Sequence, residues 1–137
     1  IALEAETGDI REVLREWLSW HAHMSRTHPQ GYHFLWVQPI TSPEWLAHHH
    51  ERLHNNLRHL AQLIQPGIER GVFAERDPLL AAGAVLCMVN GPLILYHNGR
   101  LPDAALRDQL ARETVNAALS YLCTAPISQE GNSLCPQ

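Results

Sequence analysis

The sequence predicts an all-α domain: a helical bundle of about five helices plus the remnant of a preceding helix. Three observations predict it. Apolar residues recur at steps of three and four along most of the chain, the spacing of one helix face. Cap residues, prolines and glycines stand where those stretches begin and end. No stretch alternates apolar and polar residues as a half-buried strand would. The 137 residues are 45% hydrophobic and 18% charged, which suits a single domain with a real core.

The elements follow in order. Residues 1–7, IALEAET, read as the last turns of an earlier helix. Over 9–28, Ile10, Val13, Leu14, Trp17, His21, Met24 and His28 fall on one stripe, with Asp9 as N-cap and Pro29 and Gly31 as the stop. The aromatic run GYHFLWVQ, 31–38, is expected to be a short helix between two others. Pro39 and the TSP at 41–43 break the chain. Ser42, Pro43 and Glu44 then form a helix start. Leu46, His50, Leu53, Leu57, Leu60 and Ile64 step 4-3-4-3-4 behind it, and Pro66-Gly67 kinks or ends that helix before Gly71. Asp77 and Pro78 start a fourth helix, apolar almost all round from Leu79 to Tyr96 and interrupted by Pro92. A last helix from about Pro102 to Cys123 carries two apolar faces. Leu106, Leu110, Ala117 and Tyr121 lie on one, and Ala111, Val115, Ala118 and Leu122 on the other. Residues 125–137 read as a flexible polar tail.

Composition excludes several functions. The net charge is −4 with no basic stripe, so the chain has no evident means of holding nucleic acid by itself. No apolar run reads as a membrane span and the start does not read as a signal peptide. Three cysteines, Cys87, Cys123 and Cys135, form no C-x-x-C pair and point to a reducing cytoplasm, with Cys87 acting as a small hydrophobe.

Ten histidines are the outlier. His50-Glu51-Arg52-Leu53-His54 matches H-E-x-x-H, in which two histidines one turn apart hold zinc and the glutamate acts as base. The extended metalloprotease pattern fails, because Leu57 and Leu60 stand where glycine and the third histidine are required. The inner-face stripe accounts for His50 and His54 more simply. A zinc-dependent hydrolase using His50, Glu51 and His54 is the alternative reading; otherwise no catalytic residue, metal or cofactor is expected.

Leu63 to Gly99, LIQPGIERGVFAERDPLLAAGAVLCMVNGPLILYHNG, resembles the middle of the C-terminal domain of TetR-type transcriptional regulators. In that family a long helix ends in a G-x-F-x-x-x-D-P turn, here Gly71, Phe73, Asp77 and Pro78. A buried helix with an internal N-G follows, here Asn90-Gly91, and then a final helix. The order of helices over 1–124 is similar. The resemblance implies that 1–8 end a linking helix from a missing N-terminal helix-turn-helix domain, and that 9–124 form an effector-binding and dimerisation domain. It implies a small-molecule effector, a homodimer through the last two helices, and contact with DNA only through the missing domain. Matched by position, the ligand-binding residues are Trp17, His21, Met24, Phe34, His50, His54, Leu57, Met88 and Gly91. The dimer-interface residues are Leu86, Val89, Leu93, Leu110, Ala117, Ala118 and Tyr121.

Overall fold

The computed structural model describes residues 8–127. The expected remnant helix at 1–7, most of the 125–137 tail and Cys135 lie outside the described residues. Among those described are five helices and no strand: α1 Ile10–Thr27, α2 Pro29–Trp36, α3 Pro43–Glu69, α4 Pro78–His97 and α5 Ala104–Cys123.

Local chemistry sets the boundaries. The Asp9 carboxylate accepts from Arg11 N, Ser42 Oγ from Trp45 N, and the Asp77 carboxylate from both Leu79 N and Leu80 N. Each satisfies amides that the first turn of a helix leaves without a partner. Pro29 opens α2 at its first turn as well as closing α1. Asp103 caps α5, its carboxylate accepting from Leu106 N at 2.7 Å. Pro66-Gly67 does not end α3, which runs on to Glu69. There the chain turns through Gly71 at φ +72°, and the Val72 and Phe73 amides return to the Gly67 carbonyl. The Phe73 ring lies against Gly67 so closely that a Cβ there would run into it.

Helix α4 is the centre of the fold. It packs chiefly against α5 and α3, and also against α1 and, more lightly, α2. That accounts for most of its all-round apolarity. By length and composition Pro78–His97 could cross a membrane, contrary to the sequence expectation. Its four helical neighbours instead make it a core helix. The core joins Ile10, Leu14 and Leu18 of α1, Leu60, Leu63 and Ile64 of α3, Val85, Leu86 and Val89 of α4, and Ala118 and Leu122 of α5.

Within this packing the expected dimer residues fall in different surroundings. Leu86, Val89, Leu93 and Ala118 are buried in the chain's own core. Tyr121 is half-buried beneath the Arg76 guanidinium, 4.0 Å from its ring centre. Leu110 is half-buried and Ala117 exposed, on the side of α5 opposite the buried Ala111, Val115 and Leu122. The uncovered side of α4 is a different stripe: Leu80, Ala84, Cys87, Gly91 and Leu95, at steps of four, three, four and four. Leu80 is 73% exposed and Leu95 46%, and nothing lies within 4 Å of a Cβ placed on Gly91. Cys87 is a free, exposed thiol rather than a buried hydrophobe, and Cys123 is also free.

A polar network links α1, α2 and α4 beneath the surface. The Tyr32 hydroxyl donates to Asn90 Oδ1 at 2.6 Å, and Asn90 Nδ2 donates to the Leu86 carbonyl at 3.0 Å. Ser25 Oγ meets His97 Nε2 at 2.8 Å, and the Tyr32 and His97 rings stack at 4.9 Å. Burial raises the Tyr32 pKa, so the hydroxyl keeps its proton and donates.

Candidate functional site

No Cα of α2 comes within 8 Å of one in α3, although both flank α1. The space between them is a cavity of about 550 Å³, within the range of small-molecule sites. Val13, Glu16, Trp17, Trp20 and His21 line it from α1, Leu35 and Trp36 from α2, and Arg52, Asn56 and His59 from α3. The α3 contribution steps four and then three, which places all three side chains on one face.

His21 is the most buried of the polar lining residues. Its ring sits 4.9 Å from Trp17, 5.6 Å from Trp20 and 6.1 Å from Trp36, all tilted or edge-on. Such tilted arrangements suit the ring quadrupoles. Burial lowers the His21 pKa, and the nearby Leu18 and Trp17 carbonyls offset part of that. Nδ1 completes no hydrogen bond within the described residues. The imidazole is therefore neutral near pH 7, with one nitrogen unsatisfied.

Arg52 supplies the cation. Nη2 donates to the Leu35 carbonyl and to His49 Nδ1, each at 3.2 Å, which ties the side chain across the gap between α3 and α2. Burial pulls its pKa down, as expected for a half-buried charge paired only with neutral acceptors.

Of the residues expected to bind ligand, the structure brings Trp17 and His21 to this cavity. The others stand elsewhere in the fold. Phe34 faces outward, stacked edge-on against Trp45. His50 and His54 lie on the exposed side of α3. Leu57 and Met88 pack against the main core. Met24 is half-buried outside the cavity wall, and Gly91 lies on the uncovered stripe of α4. From sequence, Trp36 was within reach as an apolar wall beside Trp17, whereas Arg52, Asn56, His59, Val13, Glu16, Trp20 and Leu35 were missed. The polar 52-56-59 spacing was the available signal for the first three.

The H-E-x-x-H match sits on that same exposed face. Among the described residues, no three His, Cys, Asp or Glu side chains are grouped to hold a metal. His50 and His54 thus have no third ligand beside them, and a zinc site needs at least three from the protein.

A family model described as the tetracyclin repressor-like C-terminal domain matches residues 8–113. No curated protein and no solved structure matches the chain.

Proposed function

The chain belongs to the tetracyclin repressor-like C-terminal domain family, and from that premise we propose that it is the ligand-sensing and homodimerisation domain of a cytoplasmic transcriptional regulator. The observation that carries this reading is the aromatic-walled cavity between α1, α2 and α3, which is separate from the uncovered apolar stripe of α4. A small molecule enters the first, and a second copy of the chain covers the second. The dimer face comprises Leu80, Ala84, Cys87, Gly91 and Leu95 of α4 with Leu110 and Ala117 of α5. Small residues along it let two helices approach closely, and a two-fold axis makes the patch self-complementary. Occupancy of the cavity shifts the population of two dimer geometries, and with it the placement of an attached helix-turn-helix segment. It does so only to the extent that the ligand binds the two geometries unequally.

The support for a link between the two surfaces is geometric. Trp36 lines the cavity and stacks on Tyr32, and Tyr32 is bonded to Asn90 of α4. Two experiments test the proposal. Light scattering should give a dimer mass at micromolar concentration, and Leu80→Glu together with Cys87→Glu should reduce it to a folded monomer. Trp17→Ala should lose small-molecule binding while keeping the dimer mass. A wild-type monomer, or a dimer indifferent to the paired glutamates, refutes the α4 interface.

A further inference from the structure

The composition of the cavity wall narrows the class of occupant. Three of its ten residues are indoles and only two, Val13 and Leu35, are aliphatic. Flat rings recognise flat rings through offset and edge contacts that a flexible chain does not reproduce. Arg52 is the single cationic guanidinium on the wall. Its Nη2 is already committed to two neutral acceptors, which fixes the plane of the group. A guanidinium has five N–H donors, so Nε and Nη1 still offer three. The ion pairs seen among the described residues, Arg15–Glu12, Arg26–Asp108 and Arg107–Asp108, do not include Arg52. A partly desolvated cation held only by neutral groups is better satisfied by an anion. Asn56 and His59 stand on the same face of α3 and add polar capacity beside it. Glu16 lines the opposite wall on α1 and disfavours a second negative charge. A phosphate ester, carrying about −1.5 to −2 near pH 7, therefore fits less well than a carboxylate.

We propose that the occupant is a monoanionic aromatic carboxylate, its acid group held by Arg52 of α3 and its ring system set against Trp17 and Trp36. This rests on the cavity being the ligand site. Arg52 joins α3 to α2 through Leu35, so the anion binds at the seam between two helices whose backbones stand apart and which otherwise meet only through the rings of Phe34, Trp45 and His49. The ring system fills the cavity that Trp17, Trp20, His21 and Trp36 line.

The test is calorimetric titration of the intact chain with 2-naphthoate, with 2-naphthamide and with decanoate. The amide keeps the rings and removes the charge; decanoate keeps the charge and removes the rings. Wild type should bind naphthoate at least about tenfold tighter than either, since a charge-assisted hydrogen bond is worth about that factor. Arg52→Met keeps the apolar stem and should bring naphthoate to within about twofold of the amide, leaving the amide itself unchanged. Equal binding of acid and amide by wild type, or a preference that survives R52M, overturns the carboxylate assignment while the cavity reading stands. Decanoate matching naphthoate overturns the aromatic assignment. If none of the three binds to folded wild type, the cavity reading falls and the inference with it. The wild-type comparison holds whether or not R52M folds.

Discussion

Removing the Tyr32 hydroxyl should cost far more than one oxygen atom suggests. Tyr32 and Asn90 are each 2% exposed, and their 2.6 Å hydrogen bond joins α2 to α4 with no solvent to substitute. Tyr32→Phe keeps the ring, and so keeps the stacking on His97 and Trp36. What it removes is the donor to Asn90 Oδ1, which is left buried and unpaired. That penalty is about 1–3 kcal/mol. Asn90→Leu is near in volume and should cost a similar amount, because it strands the Tyr32 hydroxyl instead. The double variant removes both partners, so it should be more stable than the two single losses summed, by about 1 kcal/mol or more. Urea denaturation at one fixed protomer concentration measures this cycle, because self-association makes apparent stability depend on concentration. With a typical slope of about 1–3 kcal/mol per molar urea, the single variants should shift the midpoint by roughly 1 M without changing the slope. Tyr32→Phe within about 0.5 kcal/mol of wild type, or strictly additive losses, would refute the claim that this pair is dry and mutually dependent.

Three further outcomes are expected. Gly67→Ala should destabilise the chain by about 1–2 kcal/mol, since its Cβ would overlap the buried Phe73 ring, which puts overpacking toward the upper end of about 1–3 kcal/mol, against a helix-propensity gain of roughly 1 kcal/mol. A thermal melt that rises on this change contradicts the packing at the α3 turn. Amide hydrogen exchange should be faster over residues 43–59 of α3 than over 60–69, because the buried residues of that helix begin at Leu60; uniform protection along α3 would contradict the fold. Stability should fall as pH drops below about 6.5, the ordinary histidine value. Burial lowers the pKa of His21, and burial with repulsion from His33 and Arg107 lowers that of His97, so the unfolded chain takes up protons first. The decline should level off once pH passes the folded-state values, and urea midpoints that stay flat or rise between pH 7 and 5 would reverse the sign of the reasoning.

Helix order and most helix starts were legible in the sequence because capping is local. Asp9, Ser42 and Asp77 act on amides two or three residues away, so a short window contains the whole cause. Faces were less legible, for two reasons. In α3 the apolar stripe through Leu46 and Leu53 suggested an inner face, yet both are exposed. The first half of that helix faces a cavity rather than a core, so its inward positions hold Arg52, Asn56 and His59. A hydrophobic period points the wrong way on such a wall. In α4 apolar residues occupy every side, so periodicity cannot separate those facing the other helices from those left open. Leu86 and Val89 differ from Leu80 and Cys87 only in what surrounds them. At the cavity, Trp17 and His21 were reachable because the opposite face of α1 is plainly polar and the inner stripe stands out. Arg52 was not, because its role depends on where α2 and α3 stand apart.

The long third helix divides its labour along its length. Its last third is locked into the interior by Leu60, Leu63, Ile64 and Ile68, while the three side chains that line the cavity hang from the part that precedes them. Exchange of Arg52, Asn56 or His59 for other residues therefore leaves the anchoring section untouched. Substitution can vary the chemistry of that wall through one turn after another of the protruding arm, without touching the residues that hold the fold.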